Sequence, residues 1–379
     1  MLFAKGHMLK IEEEKCMNQL YSGVECTHCV NHCPAEAILI LDSHVYIDKD
    51  LCNGCGLCLS DCPTQVFTSA QWDETSIVRD IDEEGWKTTE FFCGRHTAPY
   101  QREKDRDRGA IQLPVCLSSV SKGAWFEIGL KTAVENHLDQ CQGCPMAKTI
   151  SSLEFKVRTA VEWLESIGHR PKFNFLHQGN DVKKKRSLEA IESGQKVTSR
   201  RDLFLALTQK VRQTNEKAKG CALDTVQEKR GTYLTDWQKR LADIFSANTI
   251  EGSPPAYWPS IIISNVCVQC GMCAKFCPSG ALKITVENGI CTYSFTSGLC
   301  LDCRICQLSC PSQAIQKDRI CVSKPFLAET VQISPVITCR RCSRVTFDHP
   351  EKLCYWCREE TSIADSFHET CKKLLLDAL

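Results

Sequence analysis

No stretch of this chain approaches the roughly 18 consecutive apolar residues that a bilayer-crossing helix needs, so nothing in it reads as a transmembrane span. Residues Met1 to Glu14 hold Lys5, Lys10 and three glutamates but no apolar run, so they do not read as a secretory signal. Charge of one sign is not in excess either. The 46 basic and 46 acidic residues cancel, which gives neither nucleic acid nor a membrane surface an electrostatic hold. A Gly-rich phosphate loop, a nucleophile elbow and a dinucleotide fingerprint are all missing. The chain therefore offers no recognisable place to make or break substrate bonds.

What it has is cysteine, 28 in 379 residues. Such a load suits an oxidising space that builds disulfides or a reducing one that builds metal sites. The spacing decides for metal. Three runs are complete: Cys52, Cys55, Cys58, Cys62-Pro63; Cys267, Cys270, Cys273, Cys277-Pro278; and Cys300, Cys303, Cys306, Cys310-Pro311. Each reads C-x2-C-x2-C-x3-C-P, which aims several soft thiolates at one point, as an iron–sulfur cluster requires. A fourth run, Cys26, Cys29, Cys33-Pro34, has Gly23 where its first cysteine would fall. Metal sites of this kind place the chain in a reducing compartment, and a cytoplasmic location is expected.

The runs recur as an internal repeat, and after each Cys-Pro comes a short similar phrase such as Ala35-Glu36-Ala37-Ile38 or Ser312-Gln313-Ala314-Ile315. Two runs pair over residues 10–72 and two over 258–320, with β-like stretches at Val45 to Ile47 and Ile261 to Ile263. Between the pairs, residues 90–150 carry Cys93, Cys116, Cys141 and Cys144 and read as an alternating β/α segment, with a helix from Glu127 to Leu138. Residues 151–252 read helical, from Val157, Val161 and Leu164 and again from Leu203, Leu207 and Val211. Gly252-Ser253-Pro254-Pro255 marks a boundary. Residues 335–379 form a cysteine-bearing tail ending in a short helix. The expected class is α+β: two cluster-binding modules, a β/α segment, a helical docking region and a zinc-ribbon-like tail.

The paired runs resemble the bacterial two-cluster ferredoxins. In that family the cysteine before proline reaches the neighbouring cube, so two runs close over two clusters. Carried over, the resemblance implies one cube on Cys52, Cys55, Cys58 and Cys33. In the second module it implies one on Cys267, Cys270, Cys273 and Cys310, and another on Cys300, Cys303, Cys306 and Cys277. The remaining cube has Cys26, Cys29 and Cys62, and its fourth ligand departs from the pattern. Cys16, ten residues before Cys26, can return to the vacant corner on a loop from Lys15 to Val24; the rival is a three-iron cluster with Cys16 idle.

The central four, Cys93, Cys116, Cys141 and Cys144, fit a fifth iron–sulfur or zinc site, or else buried free thiols that pack as small hydrophobes. In the tail, Cys339, Cys342, Cys354 and Cys357 have zinc-ribbon spacing, with a mononuclear iron site as the alternative. Cys221, Cys291, Cys321 and Cys371 are left over and read as core filling. His28 and His32 lie inside the first run, where they tune or pack against a cluster rather than bind metal, and His96 and His137 flank the central four. The expectation is electron transfer through four or more [4Fe-4S] clusters, with no substrate site in this chain. It would act as a conduit subunit of an anaerobic oxidoreductase complex whose partners are of hydrogenase, formate-dehydrogenase, aldehyde-oxidoreductase or disulfide-reductase type. A catalytic iron–sulfur enzyme with an open-site cluster and a redox or oxygen sensor are the other readings.

Overall fold

The computed structural model describes residues 9–21, 24–69, 72–96, 107–177, 190–194, 233–247, 256–347 and 350–358. Gly23, the helical pattern at Leu203, Leu207 and Val211, the Gly252–Pro255 boundary, Cys221, Cys371 and the terminal helix lie outside these residues. The architecture is mixed α and β. Among the described residues no helix is long and apolar enough to cross a membrane.

The N-terminal module is built from two antiparallel pairs. Strand β1 (Leu9–Ile11) pairs with β4 (Phe67–Ser69), and β2 (Ile38–Leu41) pairs with β3 (His44–Ile47). The second module repeats this plan. Strand β10 (Ala256–Ile263) pairs with β13 (Ile315–Val322), and β11 (Leu282–Glu287) pairs with β12 (Ile290–Phe295). Its hairpin is then extended by β14 (Glu329–Thr338) and β15 (Val345–Phe347). The tail is thus continuous with the sheet of the second module.

Between the modules lies a five-stranded sheet in which every pairing is parallel. Its strands are β5 (Thr88–Cys93), β6 (Arg108–Leu113), β7 (Ala133–His137), β8 (Phe173–Leu176) and β9 (Ala190–Glu192), in the order β8-β7-β5-β6-β9. Helices Glu74–Glu84, Lys122–Lys131 and Ile150–Ser166 connect and cover these strands. The core between them holds Phe91, Ile111, Trp125, Val134, Val157 and Leu164, all at most 2% exposed. Two of the helices are capped by their preceding residues: Asp73 accepts from Thr75 N and Ser121 from Ala124 N.

Two expectations change here. The helix expected from Glu127 to Leu138 spans Lys122–Lys131 and gives way to β7, because Thr132 is extended (φ −146°, ψ 154°) and the alternately buried Val134 and Asn136 complete the sheet. The region expected to be helical over 151–252 also contributes β8 and β9 to the same sheet, and helix Ile150–Ser166 packs on that sheet. Periodicity located the helix but not the short parallel strands, which need a neighbour to exist at all.

Several contacts join the parts. Tyr21 of the N-terminal module meets Phe276 of the second at 4.6 Å between ring centroids. Trp163 of the central core stacks on Trp258 of β10 at 4.3 Å and 9°. Lys156 of the same core helix pairs with Asp61 of the N-terminal module at 2.6 Å and donates to Ser60 Oγ, both ionic side chains being 8% exposed.

Candidate metal centres

Each Cys-Pro phrase has the same local geometry. The residue three positions after the cysteine has a positive φ: 54° at Glu36, 53° at Gln65, 66° at Gly280 and 52° at Gln313. That left-handed turn swings the next amides back onto the sulfur. Ala37 N donates to Cys33 Sγ at 3.4 Å, Val66 N to Cys62 Sγ at 3.5 Å, Leu282 N to Cys277 Sγ at 3.5 Å and Ala314 N to Cys310 Sγ at 3.2 Å. Amides pointed at sulfur favour the thiolate over the thiol. The tight C-x2-C-x2-C turns carry left-handed residues at matching places, Gly54 and Gly56, Gln269 and Gly271, Asp302 and Arg304. The repeated phrase seen in the sequence is the sequence of this turn.

The thiols gather across runs. Burial raises Cys29 to about 12, and Cys62, Cys26 and Cys16 add to the shift. Cys16 is itself buried and raised, with Cys62 and Cys26 as its charged neighbours. Burial also lifts Cys55 to about 12 and Cys58 well above its ordinary value, and both feel Cys33 and Cys52. In the second module, burial brings Cys270 to about 12 beside Cys310 and Cys267, and Cys303 to about 12 beside Cys300, Cys277 and Cys306. Thiols raised by burial favour the protonated form until a metal supplies positive charge, so these gathered sulfur donors fit an iron–sulfur cluster.

The central four also come together, at the C-terminal edge of the parallel sheet. Cys93 ends β5, Cys116 follows β6, and Cys141 and Cys144 follow β7. The chain steps from β5 to β6 on one side and to β7 on the other, which is the topological switch point where such sheets place ligands. Burial raises Cys141 to about 12, followed by Cys93, Cys116 and Cys144. This edge faces the N-terminal module: Cys116 N donates to Cys55 O at 3.0 Å. Gly56 (φ 78°) allows the approach, since a Cβ there would stand 3.0 Å from Val115 Cγ1.

The tail quartet is tighter. The four sulfurs of Cys339, Cys342, Cys354 and Cys357 lie within 4.8 Å of one another, and Cys342 and Cys354 are 3.6 Å apart. Among the described residues no other set of cysteine sulfurs is that compact. Four thiolates at about 2.3 Å from one tetrahedral ion stand about 3.8 Å apart, so this spacing suits a single ion. Burial pushes Cys339 up, but hydrogen bonds from the backbone of Cys354, Cys342 and Arg341 outweigh it and bring the thiol to about 6. Around the quartet, Trp356 packs with Met17, Tyr21, Met272, Phe276 and Ile305, so the tail covers the junction of the two modules.

Sequence reasoning missed the charges around these centres. Lys317 donates to Cys300 Sγ at 3.2 Å and pairs with Asp302 at 2.7 Å. Burial raises Asp61, but the His32 hydrogen bond and the Lys156 ammonium outweigh it and hold the carboxyl below its ordinary range. Burial pushes the Lys122 ammonium down. His32 is taken by Asp61 at 2.9 Å, His96 by Asp139 at 3.0 Å and His137 by Glu90 at 2.9 Å, so these histidines are hydrogen-bonding partners behind the thiols. Cys291 is buried in the second module as expected of core filling, whereas Cys321 is exposed on β13.

Repeated thiol cages on paired β-ribbons define an iron–sulfur protein. Residues 266–314 match the 4Fe-4S dicluster domain family, and residues 24–72 match the LdpA Fe-S cluster-binding domain family. A ferredoxin of Methanothermococcus thermolithotrophicus is 39% identical over 59 residues, 15% of this chain and 90% of that protein. The pyruvate synthase subunit PorD of Methanothermobacter marburgensis is 33% identical over 57 residues, 15% of this chain and 58% of its own length. An uncharacterised ferredoxin of Methanocaldococcus jannaschii is 42% identical over 48 residues, where the chain spans only 29% of that relative. The chain belongs to the ferredoxin family, and two of its segments match iron–sulfur cluster-binding domains.

Proposed function

We propose that the chain is an electron conduit of four [4Fe-4S] clusters and a fifth iron–sulfur centre, serving as one subunit of a multi-subunit oxidoreductase. The clusters would be held by Cys16, Cys26, Cys29 and Cys62; by Cys33, Cys52, Cys55 and Cys58; by Cys267, Cys270, Cys273 and Cys310; and by Cys277, Cys300, Cys303 and Cys306. When bound, each exchanges one electron at a time, at a potential set by hydrogen bonds to sulfur, burial and nearby charge. The observation that carries the reading is that Cys33 lies beside Cys55 and Cys58, and Cys62 beside Cys29, as an exchange of the pre-proline cysteine between runs would require.

The central four would hold the fifth centre. Their spread beyond 4.8 Å suits a cube better than one zinc ion, and the Cys116–Cys55 backbone bond sets them directly beside the N-terminal module. The compact tail quartet would hold zinc and clamp the modules together. Helix Ile150–Ser166 and the tail pack within this chain, and the helical region and tail would dock partners through their remaining surfaces. One similar protein is named a subunit of pyruvate synthase, and partners of the hydrogenase, formate-dehydrogenase, aldehyde-oxidoreductase or disulfide-reductase type are proposed by the same analogy.

The test is anaerobic purification with iron, sulfide and zinc analysis, followed by dye titration. A conduit takes up and returns electrons without turning over substrate, and it co-purifies with a catalytic subunit from its host. Material that is colourless and free of acid-labile sulfide would refute the reading.

A further inference from the structure

The two modules carry the same hairpin with different outer faces. In the N-terminal module Ile38 stands opposite Ile47 and Ile40 opposite Val45, on the side turned to the core. The matching inner pairs of the second module are Leu282 with Phe295 and Ile284 with Tyr293. On the outer side the copies part. The second module has Lys283 opposite Ser294 and Thr285 opposite Thr292, the polar face that a half-exposed antiparallel ribbon shows to water. At the same positions the N-terminal module has Leu39 opposite Tyr46 and Leu41 opposite His44. Leu39 is 47% exposed, Leu41 59% and Tyr46 48%.

The second module forms its hairpin without an apolar outer face, so folding does not require one. The tip of the N-terminal hairpin is tied down: Gln19 Nε2 donates to Ser43 O at 2.8 Å, and His44 Nδ1 lies 3.0 Å from Glu13 Oε2. Negative charge rims the ladder at both ends. Asp42 is at the tip and Glu36 and Asp50 are at the base, all three exposed, against one exposed lysine, Lys49. None of these three carboxylates is ion-paired among the described residues. The inner side meets a proposed cluster site, since Ile38 and Ile47 line the gap shared by Cys33, Cys52, Cys55 and Cys58. A protein seated on the outer face is thus one strand layer, about 10 Å, from those sulfurs.

We propose that the outer face of the β2–β3 hairpin is the docking surface for a redox protein whose contact face is apolar at its centre and basic at its rim. The inference rests on the conduit reading above and extends it by naming where electrons cross between proteins. One electron leaves the cube on Cys33, Cys52, Cys55 and Cys58 and enters the partner's one-electron centre, or returns; no proton moves and no bond changes. Leu39, Leu41 and Tyr46 supply contact area, while Glu36, Asp42 and Asp50 attract and orient the partner.

The experiment uses the full chain with its clusters intact, under anoxia, and a basic c-type cytochrome as the probe. Stopped flow reads the second-order rate of cytochrome reduction. The wild-type rate should fall as salt rises. Leu39→Ser with Leu41→Ser should slow it at least about tenfold at unchanged iron content and thermal midpoint, as the loss of leucine contact area predicts. Asp42→Lys with Asp50→Lys should also slow it and flatten its salt dependence. Lys283→Ser with Thr285→Ala, the matching outer positions of the second module, should leave it unchanged. A leucine variant that reacts at the wild-type rate, or a Lys283 variant that loses as much, overturns the port. So does a leucine variant that loses stability, which would mean that this chain covers the face itself. A wild-type dimer that the leucine changes dissociate would assign the face to a second copy and overturn it too. Each of these results leaves the conduit standing, whereas absence of clusters would remove the conduit itself.

Discussion

Lys317 Nζ stands 3.2 Å from Cys300 Sγ, a cation hydrogen-bonded directly to a proposed cluster ligand. The same ammonium is 2.7 Å from Asp302, which keeps it aimed, and Lys122 feels both Cys300 and Asp302. Positive charge hydrogen-bonded to one proposed ligand should raise the potential of its cluster and gather electrons there. Replacing Lys317 with Met should lower the midpoint of a single cluster by roughly 100 mV, the size expected for one charge at a few ångströms in a partly screened site. A redox titration followed by electron paramagnetic resonance would read it. No shift would mean that Asp302 already neutralises the cation.

Cys16 is 7% exposed and is grouped with Cys26, Cys29 and Cys62. Cys16→Ser should therefore remove one cube, a loss of about four iron atoms, or leave a three-iron remnant. Iron and sulfide analysis would distinguish these, and unchanged iron with unchanged spectra would show that Cys16 is idle.

Phe276 is 2% exposed and carries the second module's side of the junction with Tyr21. Phe276→Ala should cost about 3–5 kcal/mol, the usual price of emptying a buried aromatic site. Because Trp356 packs in the same cluster, the tail should loosen as well. Thermal denaturation would show the first effect, and faster release of the proposed tail metal to a chelator the second.

Lys156 and Asp61 form a buried pair whose partners belong to different parts of the fold. Lys156→Met leaves the buried carboxylate with His32 alone and should cost about 3 kcal/mol, while adding Asp61→Asn should recover part of it. The wild-type contribution has a definite sign with pH. Asp61 is held below its ordinary range, so the pair is fully stabilising above about pH 4 and is lost as acid protonates the carboxyl. Denaturant midpoints of the wild type, Lys156→Met, Asp61→Asn and the double variant, taken at neutral pH, would give the coupling.

What the sequence disclosed follows from range. The cages were legible because their cysteines sit two or three residues apart and the turn that shapes them is written in the same few residues, Cys33 to Ala37 or Cys310 to Ala314. The central four were legible as a set, and Leu113-Pro114-Val115-Cys116 pointed to a strand end, but the parallel order that assembles them depends on partners far away in the chain. Tyr21 against Phe276 and Lys156 against Asp61 left no local trace. Those contacts join residues separated by up to 255 positions, and nothing in hydrophobic period or motif spacing encodes such a meeting. Lys317 was invisible for the same reason, since a lysine on a strand is ordinarily just a solvated side chain.

The amides that point at Cys33, Cys62, Cys277 and Cys310 belong to the main chain, so side-chain replacement around them leaves those contacts in place. The main chain therefore gives each proposed site a fixed set of hydrogen bonds to sulfur, and side-chain charges such as Lys317 adjust the potential on top of that baseline. A protein engineer could re-grade the voltage ladder, lysine by lysine, without touching the rungs.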